Sequence, residues 1–438
     1  MNPGLVVKLR PTGPWRIGPD SGARNRVDSI YHSDSLYSAV TAAMVRLGSL
    51  EDWLDATARS AAPAVCFSSC FPFQEATRFV IPPQTVWPPA SGLLSARVRW
   101  KGARFVPLEI VRTVIGGKTL DDSRWTVDGP SECLVPAGRS GPFRTAVRWS
   151  AAVDRLTGAT ERHSTACIEF RAGAGWWTLV SFVDEAAESR WKDPVKAAFR
   201  LLADTGFGGE RSRGWGRAEA PEFIDGVLPE LILGSVPNPA PGPDVQPLPP
   251  VEEPPPAEPP VKEPEPPVTE PEAWVKEPEP PPEEPEPPVT EPGPAMAMAA
   301  AASSQEAPAA EPLAAEPETP PVLEAALVAG VAVEALPVPE RAPSTESAHW
   351  LLSLFSPAPA DTVDWGRGKY TVLTRGGRVD SPAGSGELKK QVQMVTEGSV
   401  LYAATAPCGA APDVAPEGFA HPVFRAGFAL AIPLPEGS

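Results

Sequence analysis

Between Asp204 and Pro221 the chain reads DTGFGGERSRGWGRAEAP. Five glycines fall between Gly206 and Gly216, with Arg211, Ser212, Arg213 and Arg217 among or just after them. Glycine is costly to order, so such a cluster marks backbone that takes positive φ or lies very close to another group. Amides and guanidinium groups brought together this way can hold phosphate, and three chemistries use that. A P-loop needs GxxxxGK[ST] entering a helix, so that helix-start amides meet the phosphates. No Lys-Ser or Lys-Thr occurs here, and the preceding DPVKAAFRLLADTG reads as a helix that the loop leaves. A dinucleotide fingerprint sets GxGxxG between strand and helix; GFGGER has Arg211 at the third glycine position and sits on the wrong side of the helix. What remains is Gly206-Phe207-Gly208, with Gly209 beside it, then Gly214-Trp215-Gly216. Such a loop either lines a sugar-phosphate chain or is a glycine-rich hairpin whose arginines are incidental. Phe207 and Trp215 either stack on bases or anchor the loop in a core.

Other reactive groups are few. The histidines are His32, His163, His349 and His421. His32 is followed by Ser33 and Asp34, but no second acid/base partner can be named by spacing, so it reads as a helix-start residue bonding backbone or RNA. Asp34 suits the positive end of the same helix, although an aspartate can also serve metal-assisted cleavage. Asp121 and Asp122 are loop residues to which no chemistry is assigned. Cys66, Cys70, Cys133, Cys167 and Cys408 are odd in number and irregularly spaced. They form neither a disulfide framework nor the paired ligands of a structural zinc site, so no metal and no cofactor is expected.

The elements around these residues read as α+β. LVVKL (Leu5 to Leu9) is a first strand. SDSLYSAVTAAMVRLG spaces Leu36, Tyr37, Val40, Ala43, Met44 and Leu47 on one helical face, with Ser33 as N-cap and Gly48 at the end. A second helix follows in SLEDWLDATARS. GWWTLVSFV alternates like a strand. The helix before the glycine loop opens at Asp193 and Pro194 and ends at Gly206. No run of ~20 apolar residues could span a membrane and no signal peptide is visible, so a cytoplasmic protein without a membrane partner is expected.

The net charge of −17 speaks against nucleic acid, but it is not evenly spread. Residues 236–348 hold 22 acidic and 3 basic residues and 33 of the 59 prolines; the rest holds 33 acidic and 35 basic. The remainder can therefore present a basic groove. The segment itself, with near-repeats such as EPEPPVTEP, reads as a disordered, semi-stiff tether: proline removes donors, glutamates repel, and large apolar residues are scarce. Order returns at HWLLSLFSP, followed by strands divided by Gly and Pro turns.

Gly-φ-Gly, five residues and Gly-φ-Gly after a helix resembles the glycine-rich loop of the RAMP superfamily of CRISPR systems. IYHSDSLYSAV (Ile30 to Val40), AAVDRLTGAT (Ala151 to Thr160) and the C-terminal KYTVLTRGGRV…LKKQVQMVTEGSVL…HPVFRAGFAL narrow the resemblance to the fourth Csm-series subunits of type III-A effector complexes. The long Pro/Glu insertion departs from that family. The resemblance implies two RRM-like, ferredoxin-like units with antiparallel sheets, interrupted by the disordered Pro/Glu/Ala-rich insertion. Residues 1–120 would be the N-terminal half, 121–235 the first part of the second half with a thumb-like segment and the glycine loop, 236–348 the tether, and 349–438 the β-rich part completing the second half. It implies a non-catalytic subunit that holds the 5′ repeat-derived tag of crRNA and links the large polymerase/cyclase-type subunit to a backbone RAMP subunit. Carried over by position, Gly206, Phe207, Gly208, Gly209, Arg211, Ser212, Arg213, Gly214, Trp215, Gly216 and Arg217 would line the tag channel. His32, Ser33 and Asp34 would meet RNA at a helix start, and Arg155 beside the thumb. Two alternatives stay open: a standalone, metal-independent crRNA-processing endoribonuclease using His32, and a scaffold whose tether recruits partners.

Overall fold

Asn2–Leu9 (β1) is buried along nearly its whole length, as an apolar strand covered on both faces must be. In the computed structural model, which describes residues 2–19, 22–89, 99–234, 346–381 and 384–435, this strand lies inside a seven-stranded antiparallel sheet. The other strands of the N-terminal part are β2 (Val65–Phe67), β3 (Phe71–Gln74), β4 (Thr77–Val80), β5 (Val106–Pro107), β6 (Trp125–Asp128), β7 (Cys133–Pro136), β8 (Phe143–Val153), β9 (Thr160–Phe170), β10 (Ala174–Phe182) and β11 (Glu222–Leu228). The sheet runs β11-β1-β10-β3-β4-β5, with β2 also paired to β10. Strands from both sides of residue 120 thus share it. β8 and β9 form a separate, fully registered hairpin of eleven-residue strands. The hairpin is rooted where Ile168 N–H donates to the Trp15 carbonyl at 2.7 Å.

The helices are α1 (Ser33–Arg46), α2 (Leu50–Ala56), α3 (Leu108–Ile115), α4 (Glu185–Thr205) and a single turn, α5 (Glu230–Leu233). α1 buries the expected face, Leu36, Tyr37, Val40, Ala43 and Met44, and Gly48 turns the chain out at φ 73°. His32, not Ser33, is its N-cap residue, and no side chain caps it. The Ser33 hydroxyl is occupied elsewhere, as shown below. α4 begins earlier than the expected start at Asp193. Asp184 caps it by accepting from Ala187 N–H at 2.7 Å, and Pro194 lies inside the helix. The added turns are held by Trp191, buried edge-on against Trp53 with ring centroids 5.3 Å apart. Tertiary burial overrides the local proline signal there. α4 ends at Gly206, as its sequence predicts.

The C-terminal part is all β: β12 (Ser347–Leu351), β13 (Val363–Lys369), β14 (Val372–Arg375), β15 (Arg378–Ser381), β16 (Gly384–Leu388), β17 (Val392–Val395), β18 (Val400–Ala403), β19 (Gly409–Ala410), β20 (Gly427–Phe428) and β21 (Ala431–Pro433). Four of them form a sheet in the order β13-β18-β12-β21. Trp350, Leu352, Phe428 and Ile432 enter the same hydrophobic core as β1 and α1. Phe428 meets Tyr37 edge-on at 5.6 Å, and Ser69 N–H donates to the Leu352 carbonyl at 2.9 Å. Residues 2–234 and 346–435 therefore form one folded unit. The fold is α+β with antiparallel sheets, as expected. The tether assigned to 236–348 lies outside the described residues except for its last three.

Candidate RNA-binding cleft

The glycines of the loop are required by geometry. Gly206, Gly208, Gly214 and Gly216 have φ of 81°, 88°, 78° and 79°. A Cβ on Gly216 would lie 2.1 Å from the Phe207 carbonyl oxygen, and one on Gly208 2.7 Å from that of Arg16. The two glycine pairs thus close on each other, with Phe207 N–H donating to the Gly216 carbonyl, while Gly209 N–H donates to Arg16. Phe207 is buried between Trp15 and Tyr31, ring centroids 4.7 and 5.1 Å away. It is an anchor in the core, which resolves one of the two readings of the loop aromatics; Trp215 is half-buried. The tip between the glycine pairs, Arg211–Arg213, is a short 3-10 turn with all three side chains exposed.

Beside this loop opens a cleft of about 1000 Å³. Gly206 to Ser212 form one wall; α1 contributes Asp34, Ser35 and Arg46, and the C-terminal part contributes Arg375, Lys389 and Arg425. Arg16 is buried in the wall, its guanidinium donating to the carbonyls of Ala23, Arg24 and Ala166 at 2.8–3.1 Å. Burial holds its pKa below the usual arginine value.

The His32-Ser33-Asp34 motif sits differently from the loop. All three side chains are buried. Both ring nitrogens of His32 face carboxylates, Nδ1 at 2.8 Å from Glu397 and Nε2 at 3.3 Å from Asp28. Burial alone would lower the His32 pKa, but Glu397 and Asp28 outweigh it and raise it to about 9. Glu397 also accepts from the Ser69 hydroxyl. Burial pushes the Asp28 carboxyl up, yet the His32 contact and Arg104 bring it down to about 2. The Ser33 hydroxyl accepts from Leu354 N–H at 3.0 Å, and Ser33 N–H donates to Ser69 Oγ at 2.8 Å. Asp34 is paired with Arg375 and Arg425. Burial would raise its pKa, but the two guanidinium groups hold it far below the carboxylate range. Each member of the motif therefore engages the C-terminal part, hundreds of residues away. A protonated His32 with both N–H groups given to carboxylates has no free nitrogen for acid/base work.

Of the remaining residues singled out from the sequence, Arg213 pairs with Glu210 at 3.3 Å and reaches His163 Nε2 at 3.1 Å and Ser150 Oγ at 3.5 Å. It ties the glycine loop to the β8–β9 hairpin. Arg155 is exposed in the turn closing that hairpin, and the Arg217 side chain is exposed behind the loop; neither lines the cleft. Asp121 caps a 3-10 turn by accepting from Ser123 N–H at 3.0 Å. The five cysteines are free. Among the described residues no group of three or more His, Cys, Asp or Glu has metal-holding geometry, and no helix is long and apolar enough to cross a membrane. Sequence reasoning missed Arg16, Asp28, Arg375, Lys389, Glu397 and Arg425. Asp28, four residues before His32 in the irregular segment leading into α1, was the only local signal among them.

Residues 344–434 match the family model described as the CRISPR Csm4 C-terminal domain. No individually curated protein matches the sequence. Among solved structures, a chain of a Csm3-Csm4 subcomplex from the type III-A CRISPR-Cas interference complex is similar over 99% of each chain, at 11% identity and a TM-score of 0.49. A chain of a Csm1-Csm4 cassette in complex with cA4 is similar over 99% of this chain and 100% of that one, at 14% identity and a TM-score of 0.46. The matched domain supplies one side of the cleft, with Arg375, Lys389 and Arg425, and the glycine-rich loop supplies the other.

Proposed function

We propose that this chain is a non-catalytic subunit of a type III-A CRISPR effector complex. It holds the 5′ repeat-derived tag of crRNA and bridges a large polymerase/cyclase-type subunit and a backbone RAMP subunit. The observation that carries the reading is the shared cleft, where the glycine loop with Arg211 meets Arg375, Lys389 and Arg425 of the Csm4-type domain. Amides and guanidinium groups on rigid backbone suit a sugar-phosphate chain. The bridging role takes its partners from the Csm1-Csm4 and Csm3-Csm4 assemblies of the similar structures.

Purification from native cells tests it. The expected result is co-purification of a large cyclase-type protein, a backbone RAMP protein and small RNAs sharing one 5′ sequence. Recovery without RNA of common 5′ sequence would overturn the tag reading. Metal-free cleavage of repeat RNA that disappears in His32→Ala would overturn the non-catalytic one.

A further inference from the structure

Arg211 and Arg213 are two residues apart, yet the structure separates them. The loop's wall of the cleft runs from Gly206 to Ser212 and stops there, so Arg211 lines the cleft and Arg213 does not. Arg213 instead turns its guanidinium to the β8–β9 hairpin and to its own loop. Nη2 donates to His163 Nε2 at 3.1 Å, Nη1 reaches Ser150 Oγ at 3.5 Å, and Nε lies 3.3 Å from a Glu210 carboxylate oxygen. Arginine carries donors only, so His163 Nε2 is the acceptor and bears no proton. Ser150 and His163 are direct cross-strand partners. The guanidinium thus meets a single patch on one face of the hairpin.

The turn that carries Arg211 needs such a hold. Arg213 N–H donates to the Glu210 carbonyl and Gly214 N–H to that of Arg211, both at 2.9 Å, closing one 3-10 turn. Both of its ends are left-handed, Gly214 at φ 78° and Glu210 at φ 61°. That conformation is costly for a residue with a Cβ. Strain of this kind persists only where the surroundings over-determine it. At Glu210 its own carboxylate does so, held by Arg213.

We propose that Arg213 is a positioning residue and not a phosphate ligand: it fastens the loop tip to the β8–β9 hairpin through His163, and to the strained Glu210, and so holds Arg211 and Ser212 toward the bound strand. The inference rests on the RNA reading of the cleft. The hairpin is the fixed post, and the loop tip is the wall that it steadies. His163 then influences RNA binding without touching RNA.

Substitution of His163, which lies outside the cleft, separates this role from direct phosphate contact. The test uses the full chain and two readouts. One is anisotropy of a 3′-labelled single-stranded RNA beginning with the repeat-derived tag. The other, without RNA, is the rate of trypsin cleavage after Arg211, followed by mass spectrometry. His163→Ala removes the acceptor and leaves Arg213 in place. It should weaken RNA binding about fivefold, the scale of one net hydrogen bond, and speed cleavage of the loosened tip by a similar factor. His163→Gln, whose side-chain oxygen can replace Nε2 as acceptor, should restore both readouts to the parent's values. The double variant His163→Ala with Arg213→Ala should bind no worse than Arg213→Ala alone, because both remove one contact. A phosphate ligand at Arg213 gives a different pattern: His163→Ala binds like the parent and only Arg213→Ala weakens binding. That pattern overturns the proposal. So do additive losses in the double variant, a His163→Gln variant that behaves like His163→Ala, or loop cleavage that His163→Ala leaves unchanged. In each of these cases weaker binding by Arg211→Ala spares the RNA reading. If Arg211→Ala also binds like the parent, the RNA reading fails and takes the proposal with it, even where cleavage shows that the tip is fastened.

Discussion

The glycine loop and the His-Ser-Asp helix start carry the same kinds of residue: cations or hydrogen-bonding side chains beside a helix end. The structure gives them opposite surroundings. Arg211, Ser212 and Arg213 stand exposed on a backbone pinned from beneath by Phe207. His32, Ser33 and Asp34 are buried, with Glu397, Leu354, Arg375 and Arg425 as partners. Polar residues in a short motif can face a ligand or hold a distant part of the same chain. Burial and the identity of the partners distinguish the two. On the proposed reading RNA contact falls to the exposed loop tip, while the buried helix start holds the C-terminal part.

The largest expected effect breaks the assembly side. Glu397→Ala leaves a buried His32 facing Asp28 alone, and removing one partner of a buried ion pair costs roughly 3–5 kcal/mol. Denaturant unfolding should show that loss as a lower midpoint. A midpoint unchanged from the parent would mean that the helix start is not a docking element. The pH dependence has a defined sign. The folded His32 pKa, about 9, lies above the ordinary value of 6.5. Its contribution is therefore fully present below pH 6.5 and lost as pH rises from 6.5 through 9. The depressed Asp28 and Glu397 carboxyls contribute above the ordinary carboxylate range and lose that contribution in acid. Docking should be firmest between these limits, and Glu397→Ala should flatten its alkaline edge.

An intermediate effect sharpens the loop side. Gly216→Ala puts a Cβ against the Phe207 carbonyl at positive φ. It should destabilise by about 1–3 kcal/mol and lower RNA affinity with it, because the wall shifts. Gly214 also has positive φ, but nothing lies within 4 Å of its Cβ position. Gly214→Ala should cost about 1 kcal/mol, from the backbone preference alone. Equal effects at the two positions would mean that the close approach of the glycine pairs is not what shapes the loop.

Local chemistry was legible where it is local. The apolar stripe of α1, the Gly206 terminus of α4 and the need for glycine at the loop all follow from neighbouring residues, and the structure has them. The early start of α4 was not legible, because Trp191 is held by Trp53, far away in sequence. Nor were the partners of the helix start. Glu397 is 365 residues from His32, and Arg425 is 391 from Asp34. No spacing rule spans such separations. Phe207 shows the same limit on a smaller scale: its position between two glycines fits base stacking and core anchoring equally, and only Trp15 and Tyr31 decide between them.

The smallest effect on stability should come from Arg211→Ala, and that contrast completes the comparison. Arg211 is exposed at the loop tip and lines the cleft. An exposed side chain away from caps and core changes stability by about 0.5 kcal/mol or less. The same substitution should weaken RNA binding measurably and reduce the salt slope by about 0.7, the signature of one phosphate fewer neutralised on a single strand. Glu397→Ala should do the reverse at low denaturant, lowering stability while leaving the salt slope of the still-folded fraction near that of the parent, because Glu397 faces His32 and Ser69 and not the cleft. A loop variant that unfolds the protein, or a helix-start variant such as Glu397→Ala that changes only the salt slope, would exchange the roles given to the two regions.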